Sequence, residues 1–253
     1  MEGYIYGSML RELFRFRRIA PWLLVVLAVY GMSLVFQKVT SGTPQDSYVL
    51  VSATLVFRIL PLAAAILSAA VVAQEIEQRT IVYLLTRPVP RWKLLLFRTL
   101  AAITVVFVLG SIVAFAASLG TAGLKNEMLV RDLKAILVGS IAYVSLFTFI
   151  SLLMNRSMIV CLLFAFIWET AVPNMPGDLY LLTITGYLSS IAERPSLGQS
   201  AGGVFDALAG MLGTNSVSPT IAWAALLCLT AACLGVGCLW FSHFEYMARE
   251  DAE

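Results

Sequence analysis

Charge is scarce in this chain. Asp, Glu, Lys and Arg make up 13% of its 253 residues, while hydrophobic residues make up 60%, against roughly 45–50% in soluble domains. A soluble fold of this length cannot hide that much apolar surface, because surface area shrinks too slowly with size. Lipid is therefore the expected solvent. Histidine is nearly absent: His243 stands alone, just past the last apolar run. A lone imidazole builds no metal site, and no Ser–His or paired-carboxylate arrangement accompanies it. Cysteine is limited to Cys161, Cys228, Cys233 and Cys238, all in apolar runs. The last three recur every five residues, which turns each about 140° from the one before on a helix. They cannot converge as metal ligands and read as small packing residues, with no disulfide framework. The chain has no Gly-x-x-x-x-Gly-Lys-Ser/Thr loop, which excludes ATP hydrolysis through such a site. It has neither a Gly-x-Ser-Gly motif nor adjacent glutamates in residues 75–79, which makes an intramembrane protease the weakest reading. No ten-residue alternation repeats, so a membrane β-barrel is not expected.

What the chain does have is long hydrophobic runs. A membrane-spanning helix needs about 20 mostly apolar residues. Candidates lie at 19–37, 48–74, 94–119, 133–154, 158–173 and 219–241. The fifth is short and ends at Pro173; the second is long and carries Arg58 and Pro61. The first, Ile19 to Phe36, is longer than a signal-peptide core and no small-x-small site follows it, so it reads as an uncleaved span. The expected fold is an all-α membrane protein with six transmembrane helices, forming one transmembrane domain over 1–253.

Lys and Arg set the orientation. With the N-terminus inside, Arg11, Arg15, Arg17, Arg18, Arg79, Arg87, Arg91, Lys93, Arg98, Arg156 and Arg249 fall on the cytoplasmic side. Lys38, Lys125, Arg131, Lys134 and Arg194 fall on the other. The imbalance predicts a multi-pass cell-membrane protein with both termini cytoplasmic, and six spans agree, since an even number returns the chain to its starting side.

Residues 4–18 read as an amphipathic helix. Tyr6, Met9, Leu10, Leu13 and Phe14 share one face, and Ser8, Arg11, Glu12, Arg15 and Arg18 the other. Such a helix lies in the interface, with Arg11, Arg15, Arg17 and Arg18 toward anionic headgroups of the membrane lipids; fixing topology alone is the plainer account of the same charges. Residues 174–218 are the longest stretch outside a clear span. Leu179–Ile191 is too short to cross and suits a re-entrant or interfacial helix on the outer face. The part around Gly198–Gly203 suits a loop.

Residues 73–98, between spans two and three, carry the most information. Glu75 and Glu77 stand where the chain leaves the bilayer, and Ile81, Leu84 and Leu85 form an apolar stripe at i, i+3 and i+4. Pro88 and Pro90 end the helix, and Pro88 also pushes Arg87 out of helical geometry. Arg91, Trp92 and Lys93 anchor the next span. Physics leaves two readings of this segment: a lever that docks on a soluble partner, or an ordinary loop with topogenic charges.

Glu75, Glu77, Thr80, Leu84, Leu85, Thr86, Arg87, Pro88, Val89 and Arg91 resemble the signature of the ABC-2 family of transporter permeases, a Glu-x-Glu-x-x-Thr-hydrophobic-x-x-Leu-Leu-Ser/Thr-Arg/Lys-Pro-Val-x-Arg pattern. The chain departs from it at Arg79, where Gly is common, and at Phe97-Arg98, where Gly-Lys is common. The layout is similar too: an amphipathic connecting helix, six spans, a cytoplasmic coupling helix between spans two and three, and short re-entrant helices after span five. The resemblance implies a non-catalytic permease subunit, working as a dimer (homo- or hetero-) on a separate ATP-binding cassette subunit that holds ATP and Mg. Residues 75–91 are then expected to dock on that ATPase through Glu75, Glu77, Arg79, Thr80, Leu84, Leu85, Arg87, Pro88 and Arg91. No cofactor is expected in this chain, and no nucleic-acid partner. The small external part and apolar core favour an exporter of a lipidic, peptide or other amphipathic compound. The competing account is a six-span channel or secondary carrier needing no ATPase, although the chain lacks the repeat symmetry common in carriers.

Arg58 and Glu169 are the charges expected deep in spans. A charge at the bilayer centre costs at least ~2.5–3.5 kcal/mol, so each needs a partner or a wet cavity. Counted at 1.5 Å per residue, both fall near mid-membrane. An Arg58–Glu169 ion pair follows as an expectation, within one subunit or across a dimer. Two roles stay open: a structural pair, or contact with substrate, since in related exporters spans two and five line the path. Trp22, Trp92, Trp223 and Trp240 suit interface anchoring; Trp168, beside Glu169, does not.

Overall fold

The computed structural model describes residues 7, 16–39, 43–77, 91–123, 126–154, 156–172, 182–193 and 218–243, which form helices and turns with no strand among them. Eight helices are labelled here. They are α1 (Phe16–Val39), α2 (Pro44–Val51), α3 (Phe57–Glu77), α4 (Arg91–Gly120), α5 (Glu127–Leu153), α6 (Ser157–Leu163), α7 (Ile184–Ile191) and α8 (Pro219–His243). A π-helical turn, Ser52–Val56, joins α2 to α3 without a break. A second, Phe164–Trp168, extends α6 into a last helical turn, Glu169–Ala171.

Five of these runs are long and apolar enough to cross a membrane: Ala20–Lys38, Pro44–Ala70, Leu95–Gly120, Glu127–Leu153 and Pro219–Phe241. The fifth expected span appears as the shorter apolar run Ser157–Ala171, whose fifteen residues rise only about 22 Å against a hydrocarbon core of about 30 Å. The second span begins earlier than hydropathy suggests, because a capping box starts the helix at Pro44. The Thr43 hydroxyl accepts from the Asp46 N–H at 3.3 Å, and Asp46 Oδ2 accepts from the Thr43 N–H at 3.0 Å. Both leading N–H groups are thereby satisfied, with Pro44 supplying a preset first residue. The fourth span also starts earlier than expected. Asn126 Oδ1 accepts from the Met128 N–H at 3.1 Å, so the helix opens at Glu127 and takes in Arg131, Asp132 and Lys134.

α5 is the central element. Two-thirds (67%) of its apolar window is buried, against 17% for α1 and 22% for α8, which present most of their surface outward. Around α5 pack α3, α4, α6, α7 and α8, and α1 lies outside against α4 and α2. Small residues let the backbones approach. A Cβ added to Gly139 of α5 would lie 2.8 Å from both Leu188 Cδ1 and Leu60 Cδ2, so α7 and α3 close on the helix at this glycine. One added to Gly120 would fall on Ser33, where α1 crosses α4. Within the helices, hydroxyls turn back on the preceding turn: Thr99 donates to Leu95 O, Ser111 to Phe107 O and Thr230 to Leu226 O, each at 2.7 Å. Each hydroxyl is thereby satisfied without water.

Several expectations fall outside the described residues. They are the amphipathic helix with Arg11 and Arg15, the segment 78–90 with Arg79, Thr80, Leu84, Leu85, Arg87 and Pro88, and the loop 194–217. Arg17 and Arg18 lie in the first turn of α1, Glu75 and Glu77 in the last turn of α3, and Arg91 opens α4.

Candidate functional site in the bundle interior

Glu169 is the most enclosed of the expected charges, at 4% exposed. Its surroundings follow from the short helix α7. The first N–H groups of any helix lack intrahelical partners, and inside an apolar bundle they must be satisfied by protein. Thr183 is the N-cap, and its hydroxyl accepts from the Gly186 N–H at 3.1 Å. The two N–H groups before that go to Glu169: Ile184 donates to Oε1 at 3.1 Å and Thr185 to Oε2 at 3.0 Å. The Thr185 hydroxyl also donates to Oε2, and the Tyr143 hydroxyl of α5 donates to the same oxygen at 2.9 Å. A carboxylate is matched to this set, because backbone N–H groups only donate and the positive end of the helix dipole faces it.

The π-turn at Phe164–Trp168 makes this possible. One inserted residue turns everything after it about 100° around the helix axis. Phe166, Ile167 and Trp168 stay exposed, while Ala165 and Glu169 point inward. The indole of Trp168 donates to Leu182 O at 3.3 Å and stacks on Phe164, so it binds the approach to α7 where an interface anchor was not expected. The far end of α7 is tied as well: Arg131 of α5 pairs with Glu193, both about half exposed.

The expected Arg58–Glu169 pair does not form within the chain. Both carboxylate oxygens of Glu169 are engaged by α7 and Tyr143, and Arg58 is exposed just past the first π-turn, Ser52–Val56. Burial takes Glu169 inward to cap a helix; the helical phase of α3 takes Arg58 outward.

A second buried carboxylate was missed in the sequence. Asp132 is fully buried. Its Oδ2 accepts from the Tyr48 hydroxyl at 2.6 Å and the Ser52 hydroxyl at 2.7 Å. Tyr48 and Ser52 are one turn apart, so both hydroxyls leave the same face of the second span. Ser52 also opens its π-turn, where the Phe57 N–H bonds back to Ser52 O. Asp132 sits between Arg131 and Lys134, one residue short of the expected start of the fourth span at 133. The readable signal was the hydroxyl pair at i and i+4 in an otherwise apolar span. Among the described residues no group of His, Cys, Asp or Glu is placed to hold a metal ion.

Five long apolar helices, one of them central, with two buried carboxylates held by hydrogen bonds from neighbouring helices, define a polytopic helical membrane protein. A family model described as ABC-2 family transporter protein matches residues 10–171, well over half of the chain, and the chain belongs to that family. The match includes the segment 75–91, whose motif pointed the same way, and supports a transport permease. No curated protein matches the chain.

Proposed function

We propose that this chain is the membrane-spanning subunit of an ATP-driven exporter, working as a permease dimer on a separate ATP-binding cassette subunit. Family membership over residues 10–171 carries the reading. In it, both termini are cytoplasmic, and Ser157–Ala171 with α7 completes the sixth crossing as a half-span plus a re-entrant helix. Glu75, Glu77, Arg79, Thr80, Leu84, Leu85, Arg87, Pro88 and Arg91 dock on the ATPase, which binds ATP and Mg. A push at that segment enters the bilayer through α3 and α4, the helices on either side of it. Arg58 faces the passage. An exposed guanidinium at mid-span needs water or a polar partner rather than lipid, and a passage between two permease subunits provides it.

The test is purification of the tagged protein in mild detergent, with mass spectrometry of whatever accompanies it. An ATP-binding cassette subunit is expected with the native chain and is lost from the Leu84→Asp/Arg87→Glu variant. A folded native preparation without any such ATPase contradicts the proposal and favours a channel or carrier.

A further inference from the structure

α4 and α8 leave a cleft between them. Its volume is about 400 Å³, and its walls are Leu96, Phe97, Leu100 and Ile103 on α4 and Leu234 on α8. Thr99 also lines it, but its hydroxyl is spent on Leu95 O at 2.7 Å, which leaves the walls apolar. Lys93 is the one charged lining residue and sits at one end. The ten steps from Lys93 to Ile103 rise about 15 Å, half of a hydrocarbon core about 30 Å thick. The cleft is thus as deep as one leaflet, apolar along its length and cationic at the level of the headgroups. Leu100 is 50% exposed, so the cleft opens sideways to lipid. Its walls do not include the second span, where Arg58 places the passage.

We infer that this cleft binds one anionic phospholipid, its acyl chain along Leu96, Leu100, Ile103 and Leu234 and its phosphate at the Lys93 ammonium. Basic pockets between membrane helices recognise anionic headgroups in this way, and a lysine meets phosphate as a point charge on a flexible stem. Volume and lining suit a chain, since ligand pockets run roughly from 300 to 1,000 Å³ and are largely apolar. The inference rests on α4 and α8 crossing the bilayer with the basic end of α4 at the interface; it does not depend on an ATPase partner.

Native mass spectrometry of the purified protein, given phosphatidylglycerol and phosphatidylcholine at equal concentration, tests it. The native chain should retain phosphatidylglycerol about fivefold over phosphatidylcholine. Lys93→Gln should bring that ratio to about one while phosphatidylcholine is still retained, and Lys93→Arg should preserve the preference. Leu100→Trp, which fills the cleft, should lower retention of both lipids, with a thermal melt confirming that each variant is folded. Equal retention of the two lipids by the native chain overturns the inference, as does an undiminished preference in Lys93→Gln or unchanged retention in folded Leu100→Trp. Copurification of an ATPase, read in the same preparations, reports on the transport proposal separately.

Discussion

Glu169 holds α7 to the bundle through two backbone N–H groups and two hydroxyls, so its removal strands donors that water cannot reach. A buried donor left unsatisfied costs about 1–3 kcal/mol. Glu169→Ala should therefore lower thermal stability in detergent by several kcal/mol, and Glu169→Gln by less, because one acceptor oxygen remains. Tyr143→Phe removes a single bond and should cost about 1–2 kcal/mol. A fluorescence-detected melt orders the three; equal stability of Glu169→Ala and the native chain contradicts the capping role. Asp132 supports a sharper test. Tyr48→Phe and Asp132→Ala remove the two ends of one 2.6 Å bond, so their effects should not add, with a coupling of about 0.5–3 kcal/mol. Additive losses would mean that the bond contributes nothing. The sequence revealed that Glu169 lay deep and needed a partner, but not which one. A charge in a span calls for an opposite charge by reflex, whereas backbone N–H groups carry no signature in side-chain order. Asp132 was hidden for a related reason: it fell just outside the expected span, and its donors lie at least eighty positions away.

Among the elements, the two π-turns decide most. Each inserts one residue just before a charge expected deep in a span, Ser52–Val56 before Arg58 and Phe164–Trp168 before Glu169. Hydropathy is blind to such insertions, since it averages over the phase that they change. That is why the spans were legible within a few residues but the direction of Arg58 and Glu169 was not. α7 was legible as a piece too short to cross, and its burial follows from Gly139, which admits it. Gly139→Leu should push Leu188 and Leu60 apart and cost about 1–3 kcal/mol by overpacking, seen as a lowered melting temperature. No loss of stability would place α7 elsewhere. Thr183→Ala removes the N-cap and should cost about 1 kcal/mol by the same assay.

For the whole molecule, the layout of the described residues packs the more buried helices around α5 and leaves most of the surface of α1 and α8 facing outward. Membership of the ABC-2 family was legible in ten residues of one short segment because that segment carries particular side chains at fixed spacing, while apolar spans tolerate many sequences. The transport account makes position 58 part of a passage that opens and closes with the ATPase. Replacing Arg58 by cysteine, in a background where Cys161, Cys228, Cys233 and Cys238 are alanine, puts a single thiol there. Its reaction with a charged, membrane-impermeant thiol reagent is then measured in the reconstituted complex, with and without ATP and vanadate. The account predicts labelling whose rate changes severalfold between the two nucleotide conditions. A thiol that reacts at the same rate in both, or does not react at all in a complex that hydrolyses ATP, would contradict it.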